Sequence, residues 1–106
     1  MFANKDEYII GSNSIIEEMC LIGIKCSPNK LNIQTKIGNG AYIRSGTYIY
    51  EDNLIGDNFM TGNKVNIRES NIIGNNVSIG TNSIIEHNIN IDDNVRIHSN
   101  VFIPEF

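Results

Sequence analysis

Aliphatic residues recur at every sixth position of this chain. The series runs Ile10, Ile16, Ile22, then Leu31, Ile37, Ile43, Ile49, Ile55, Thr61, Ile67, Ile73, Ile79, Ile85, Ile91, Ile97 and Ile103. Nine residues rather than six separate Ile22 from Leu31, which predicts a small corner insertion at 28–30, around Pro28-Asn29-Lys30. One residue after the aliphatic stands glycine at Gly11, Gly23, Gly38, Gly56, Gly62, Gly74 and Gly80. Three residues after it come Asn13, Asn58, Asn76, Asn82, Asn88, Asn94 and Asn100, with Gly40 and Gly46 in the same slot. Asparagine and glycine tolerate left-handed backbone, so this third slot predicts one turn per hexad. The fourth slot holds small or β-branched residues such as Ser14, Cys20, Cys26, Thr35, Ala41, Thr47, Val65 and Val77. It reads as a tight inward position.

No helix fits this pattern. Six is not a multiple of 3.6, and glycine with asparagine at this density destabilises a helix by roughly 0.5–1 kcal/mol per site. An antiparallel sandwich has longer strands and no fixed period. A short strand and a corner every six residues describe a solenoid, in which three hexads close an 18-residue triangular coil and coils stack as parallel sheets. The expected organisation is all-β: a lead-in over residues 1–8, then one parallel β-helix domain over 9–106 with about five coils. Ile37, Ile55, Ile73 and Ile91 then stack as one wall, and Ile49, Ile67, Ile85 and Ile103 as another.

Composition fits the same picture. Among 106 residues there are 21 isoleucines and 17 asparagines, the first for the walls and the second for the corners. This length excludes a two-domain enzyme with its own substrate lobe. The net charge of −4 argues against binding to nucleic acid or to anionic lipid, which needs clustered lysine and arginine. No apolar run approaches a membrane span, and residues 1–7 lack a basic flank leading into an apolar stretch. The expectation is a soluble, cytoplasmic protein.

The Ile-Gly-x-x-(small)-x repeat resembles that of the left-handed parallel β-helix acyltransferases. The stretch from Thr61 to Pro104, with its Ile73-Gly-Asn-Asn-Val-Ser-Ile-Gly run and Val95-Arg-Ile-His-Ser-Asn-Val-Phe-Ile-Pro ending, is similar to their sugar N- and O-acetyltransferase branch. The resemblance covers about residues 9–106. It implies left-handed winding, acetyl-CoA as cosubstrate, a small-molecule acceptor such as a nucleotide-sugar, and a homotrimer with active sites between subunits. The family's further coils and covering helix or loop have no counterpart before Phe106, so the acceptor pocket is expected to be unfinished. A non-catalytic or truncated β-helix scaffold is the alternative.

Residues 18 apart stack in one column, roughly 4.8 Å from coil to coil. His87 then shares a corner column with Glu51, Glu69 and Glu105. Flanking Glu69 and Glu105 would orient its imidazole, making His87 the candidate general base for an acceptor amine or hydroxyl. The same column also reads as a solvated charge ladder, a common stabiliser. His98 shares a column with Arg44, Gly62 and Gly80, and this set is the candidate contact for a phosphate or a pantetheine chain. The repeat's preference for glycine explains the column as well. Arg68 and Glu86 are expected to pair on the surface.

Both cysteines, Cys20 and Cys26, fall in the inward slot and read as reduced core residues. No metal is expected, since the zinc carbonic anhydrases of this fold need three histidine ligands and the chain has two histidines. Outward positions make apolar columns of Tyr48, Asn66, Ile84 and Phe102 and of Lys36, Leu54, Ile72 and Asn90. Such stripes mark interfaces, and one of these faces is expected to form the trimer.

Overall fold

The computed structural model describes residues 7–28 and 31–105, and within them every regular element is a short strand. The first coil holds β1 (Tyr8–Ile10), β2 (Ile15–Ile16) and β3 (Leu21–Ile24). The second holds β4 (Thr35–Ile37), β5 (Tyr42–Ile43) and β6 (Tyr48–Tyr50), and the third β7 (Leu54–Ile55), β8 (Met60–Thr61) and β9 (Asn66–Ile67). The fourth comprises β10 (Ile72–Ile73), β11 (Ser78–Ile79) and β12 (Ile84–Ile85). The fifth comprises β13 (Asn90–Ile91), β14 (Arg96–Ile97) and β15 (Phe102–Ile103). Every third strand pairs in parallel, which gives three five-stranded sheets: sheet A (β1-β4-β7-β10-β13), sheet B (β2-β5-β8-β11-β14) and sheet C (β3-β6-β9-β12-β15). The protein is a left-handed parallel β-helix of about five coils.

Each hexad builds one side of the prism. Its wall residue points inward, and Ile43, Ile49, Ile67 and Ile85 have no exposed surface. Ile37 registers with Ile55, and Ile73 with Ile55 and Ile91, so the walls are continuous ladders of one residue type. Thr61 takes a wall position fully buried, and its hydroxyl accepts the Arg44 backbone N–H at 3.0 Å. A buried hydroxyl is thereby satisfied within the apolar stack.

Outside the insertion, the third slot turns the chain at the corners. All thirteen of its residues from Asn13 to Asn100 described as left-handed have φ between 56° and 78°. Met19, Asp52, Lys64 and Ser70 adopt it too, at a cost that asparagine and glycine largely avoid. The glycines one residue after the wall serve a different need. Gly62 and Gly80 have ordinary φ, but a Cβ on Gly62 would stand 2.6 Å from the Thr81 backbone nitrogen. These glycines exist so that the next coil can lie close. At the A–B corner that closeness lets Asp57 Oδ1 accept the Asn39 N–H at 2.9 Å, and Asn75 and Asp93 repeat the bond on the following coils.

The insertion differs from its expected form. Ile10 registers with Ile37 and Ile22 with Ile49, an offset of 27, whereas Ile49 registers with Ile67, an offset of 18. The coil that carries the insertion is therefore nine residues longer than a normal one, and Leu31, expected in a wall, is 89% exposed within it. Asn29 and Lys30 lie outside the described residues, as do residues 1–6 of the lead-in. Tyr8, assigned to that lead-in, already pairs with Thr35 in sheet A.

Candidate functional site

His87 sits at the C–A corner, between β12 and β13, half-exposed. Its Nε2 lies 2.7 Å from Glu105 Oε1, and Asn88 Nδ2 donates to the other oxygen of Glu105 at 2.8 Å. The imidazole's Nδ1 stands 3.9 Å from Glu86 Oε1, beyond hydrogen-bond reach. His87 is thus held through one nitrogen by a carboxylate that is itself held, with the other nitrogen uncommitted. Proton acceptance by an oriented imidazole requires this arrangement.

The remaining members of that column behave otherwise. Glu69, expected to flank His87, turns to its sequence neighbour, with Arg68 Nε 3.1 Å from Glu69 Oε1. A guanidinium one residue away gives a charge-assisted bond that the imidazole one coil on does not match. Arg68 also stacks over the Tyr50 ring at 4.6 Å, so the expected Arg68–Glu86 pair is replaced by Arg68–Glu69. Glu51 is fully buried, and its carboxylate accepts the backbone N–H groups of Cys26 and Ile33 at 3.1 and 3.0 Å. It anchors the insertion.

The second predicted set is brought together. Arg44, Gly62, Gly80 and His98 line one cavity of about 330 Å3 on the sheet B side of the B–C corner, along with Met60, Ser78, Arg96 and Ser99. The two glycines do not open this space by lacking side chains, since backbone of the next coil fills their Cβ directions. Arg96 joins this set from outside the column, its place one residue before the wall residue Ile97 marking it as outward-facing on sheet B.

Arg44 is braced from the preceding coil. Its guanidinium lies 4.7 Å over the Tyr42 ring, and Tyr42 Oη donates to Glu17 Oε2 at 2.9 Å. The other oxygen of Glu17 accepts the Ser45 N–H at 3.0 Å. The Tyr42 hydroxyl foremost, then the Ser45 N–H and the Arg44 charge, hold the Glu17 carboxyl below the usual range against a partial desolvation. Arg44 thereby offers a pre-oriented guanidinium beside Arg96 and His98, a donor set suited to phosphate.

His87 and the cationic cavity occupy different corners, with sheet C between them. Cys20 is buried and its thiol is pushed up by burial, while Cys26 departs from its expected core position. It belongs to the insertion, half-buried, and donates its thiol to Glu51 Oε2 at 2.7 Å. Among the described residues no three His, Cys, Asp or Glu side chains gather to hold a metal ion.

Two comparisons with known families agree with this geometry. Residues 13–51 match the hexapeptide repeat of succinyl-transferase, and residues 72–105 match the bacterial transferase hexapeptide (six repeats). The first match spans the insertion, and the second covers the two coils that carry His87, Arg96, His98 and Glu105. No curated protein matches the chain.

Proposed function

Because the chain belongs to the hexapeptide-repeat transferase family, we propose that it is an acyltransferase moving an acetyl group from acetyl-coenzyme A to an amino or hydroxyl group of a nucleotide-activated sugar. The observation that carries this reading is the gathering of Arg44, Arg96 and His98 in one cavity with Met60 in its lining. Two guanidinium groups pair with phosphate in bidentate fashion, and the apolar flank suits a pantetheine chain.

His87 is the base in this reaction, oriented by Glu105. It takes the acceptor's proton as the acceptor nitrogen or oxygen attacks the thioester carbonyl, forming the new C–N or C–O bond. Backbone N–H groups at a corner stabilise the oxyanion. The C–S bond then breaks, and the departing thiolate of coenzyme A is protonated. His87 and the cationic cavity stand at different corners, so the reading includes a cytoplasmic homotrimer in which a neighbouring copy brings the two together.

The separation of His87 from the cavity within one chain also favours a second reading, a non-catalytic β-helix scaffold. Release of free thiol from acetyl-coenzyme A, measured with a panel of amino- and hydroxyl-bearing sugar nucleotides, separates them. The transferase reading expects release that His87→Ala abolishes while acetyl-coenzyme A binding is retained. Unchanged turnover in His87→Ala removes His87 as the base, and no release with any acceptor, together with no binding, supports the scaffold.

A further inference from the structure

A larger cavity, about 750 Å3, opens on the sheet C side of the same B–C corner, with Tyr48, Asn63, Lys64, Asn66 and Thr81 in its lining. This is the size of an ordinary small-molecule site. Three features of its lining are unexplained by the repeat.

Lys64 stands in the third slot with φ 56°, where asparagine or glycine would be relaxed. Its stem lies against Gly46, where a Cβ would meet Lys64 Cγ at 3.0 Å. Among the described residues its ammonium forms no ion pair. Strain retained at a charged residue in a cavity points toward function. Asn66 Oδ1, next, is buried and has no hydrogen-bond partner among the described residues. A buried acceptor without a partner gains when a ligand donates to it, and the carboxamide torsion is broad enough to turn toward one. Met19, in the same slot as Lys64 with φ 66°, and the Tyr48 ring supply an exposed apolar flank. The lining contains no aspartate or glutamate.

We infer that this cavity binds a hydroxylated carboxylate. Its carboxylate pairs with Lys64, a hydroxyl donates to Asn66 Oδ1, and its carbon skeleton lies on Tyr48 and Met19. The inference rests on the cavity alone and needs no acyl transfer. Should transfer occur, consecutive residues such as Gly62-Asn63 and Gly80-Thr81 face the two cavities, which places this site next to the cationic one.

The test is an amide chemical-shift titration of the whole protein with D-glucuronate, D-glucose and acetate. Saturable shifts at residues 63–66 and 81–82 are expected with glucuronate, at an affinity about tenfold better than with either glucose or acetate, a difference of about 1.4 kcal/mol. Lys64→Asn relieves the backbone strain, so its melting temperature is expected to stay level or rise while glucuronate affinity falls about tenfold. Asn66→Leu is expected to weaken glucuronate and glucose alike. The inference is overturned by absence of saturable shifts at those amides, by acetate or glucose binding as well as glucuronate, or by unchanged glucuronate affinity in a folded Lys64→Asn.

Discussion

Glu51 accepts the backbone N–H of Ile33 at 3.0 Å from a position with no solvent exposure, and so fixes the far end of the insertion to the C–A corner. The same carboxylate takes the N–H and thiol of Cys26, fixing the near end. One buried side chain thus ties both ends of the loop, alongside the bond that Asn32 Nδ2 donates to the Gly23 carbonyl at 2.9 Å. Glu51→Ala removes an ionised acceptor from two backbone N–H groups and a thiol, at a cost of about 2–4 kcal/mol. Urea denaturation checks this as a lowered midpoint. An unchanged midpoint would show that the loop is held by other contacts.

Gly80→Ala decides between two accounts of the glycine slot. The φ of Gly80 is ordinary, so alanine by itself would stabilise by about 0.4–1 kcal/mol through the unfolded chain. Its Cβ, however, would stand 2.8 Å from the Ser99 Cα of the next coil, and overpacking against backbone costs about 1–3 kcal/mol. The steric effect is the larger. Calorimetric melting should show a lower transition for Gly80→Ala, whereas a higher one would mean that the coils have room.

The Glu17 brace makes stability depend on pH in a definite direction. Its carboxyl titrates lower in the folded protein than in the unfolded chain, first because of the Tyr42 hydroxyl. The unfolded state therefore binds the proton more readily, and the contribution is complete above the ordinary carboxylate range. It is lost as the pH falls through the lower, folded value. The stability difference between the protein and Glu17→Gln, followed by urea midpoints from neutral to acid pH, should shrink below about pH 4. A difference independent of pH would contradict the brace.

The proposed trimer rests on exposed apolar side chains on two outward faces. Leu54 and Ile72 pair across adjacent coils of sheet A at more than half exposure, and Tyr48, Ile84 and Phe102 stand outward on sheet C. Light scattering at micromolar concentration is expected to give three times the 11.9 kDa of one chain. Paired Leu54→Asp and Ile72→Asp substitutions, or Ile84→Asp with Phe102→Asp, should dissociate the trimer for whichever face is used. A monomer throughout would remove the trimer from the account.

The walls and corners were legible because the hexad repeats a chemical requirement at each position. Isoleucine at 37, 55, 73 and 91 and asparagine at 58, 76 and 94 each meet the same need on successive coils. Legibility failed where one residue does something the repeat does not ask for. Leu31 has the right spacing and the wrong place, since the insertion is longer than counting from Leu31 implied. Glu51 has the same column as His87, but its burial follows from that insertion folding over it.

Column arithmetic also places residues without choosing their partners. It set Glu69 beside His87, yet Arg68 lies nearer along the chain and takes it. Asn53 and Asn71 are inward residues that the pattern does not reveal, because asparagine reads as a corner residue. Both are buried in the fourth slot, where Asn53 Oδ1 accepts the Asn71 N–H and Asn71 Oδ1 accepts the Ile89 N–H. Arg44, Gly62, Gly80 and His98 are one column and line one cavity without any side-chain choice.

Calorimetric titration with acetyl-coenzyme A tests the transferase reading most directly. The account predicts saturable heat at one site per subunit, weakened about tenfold or more by Arg44→Ala or Arg96→Ala through lost charge-assisted bonds. No heat at high micromolar ligand, or equal binding by both arginine variants, would contradict it.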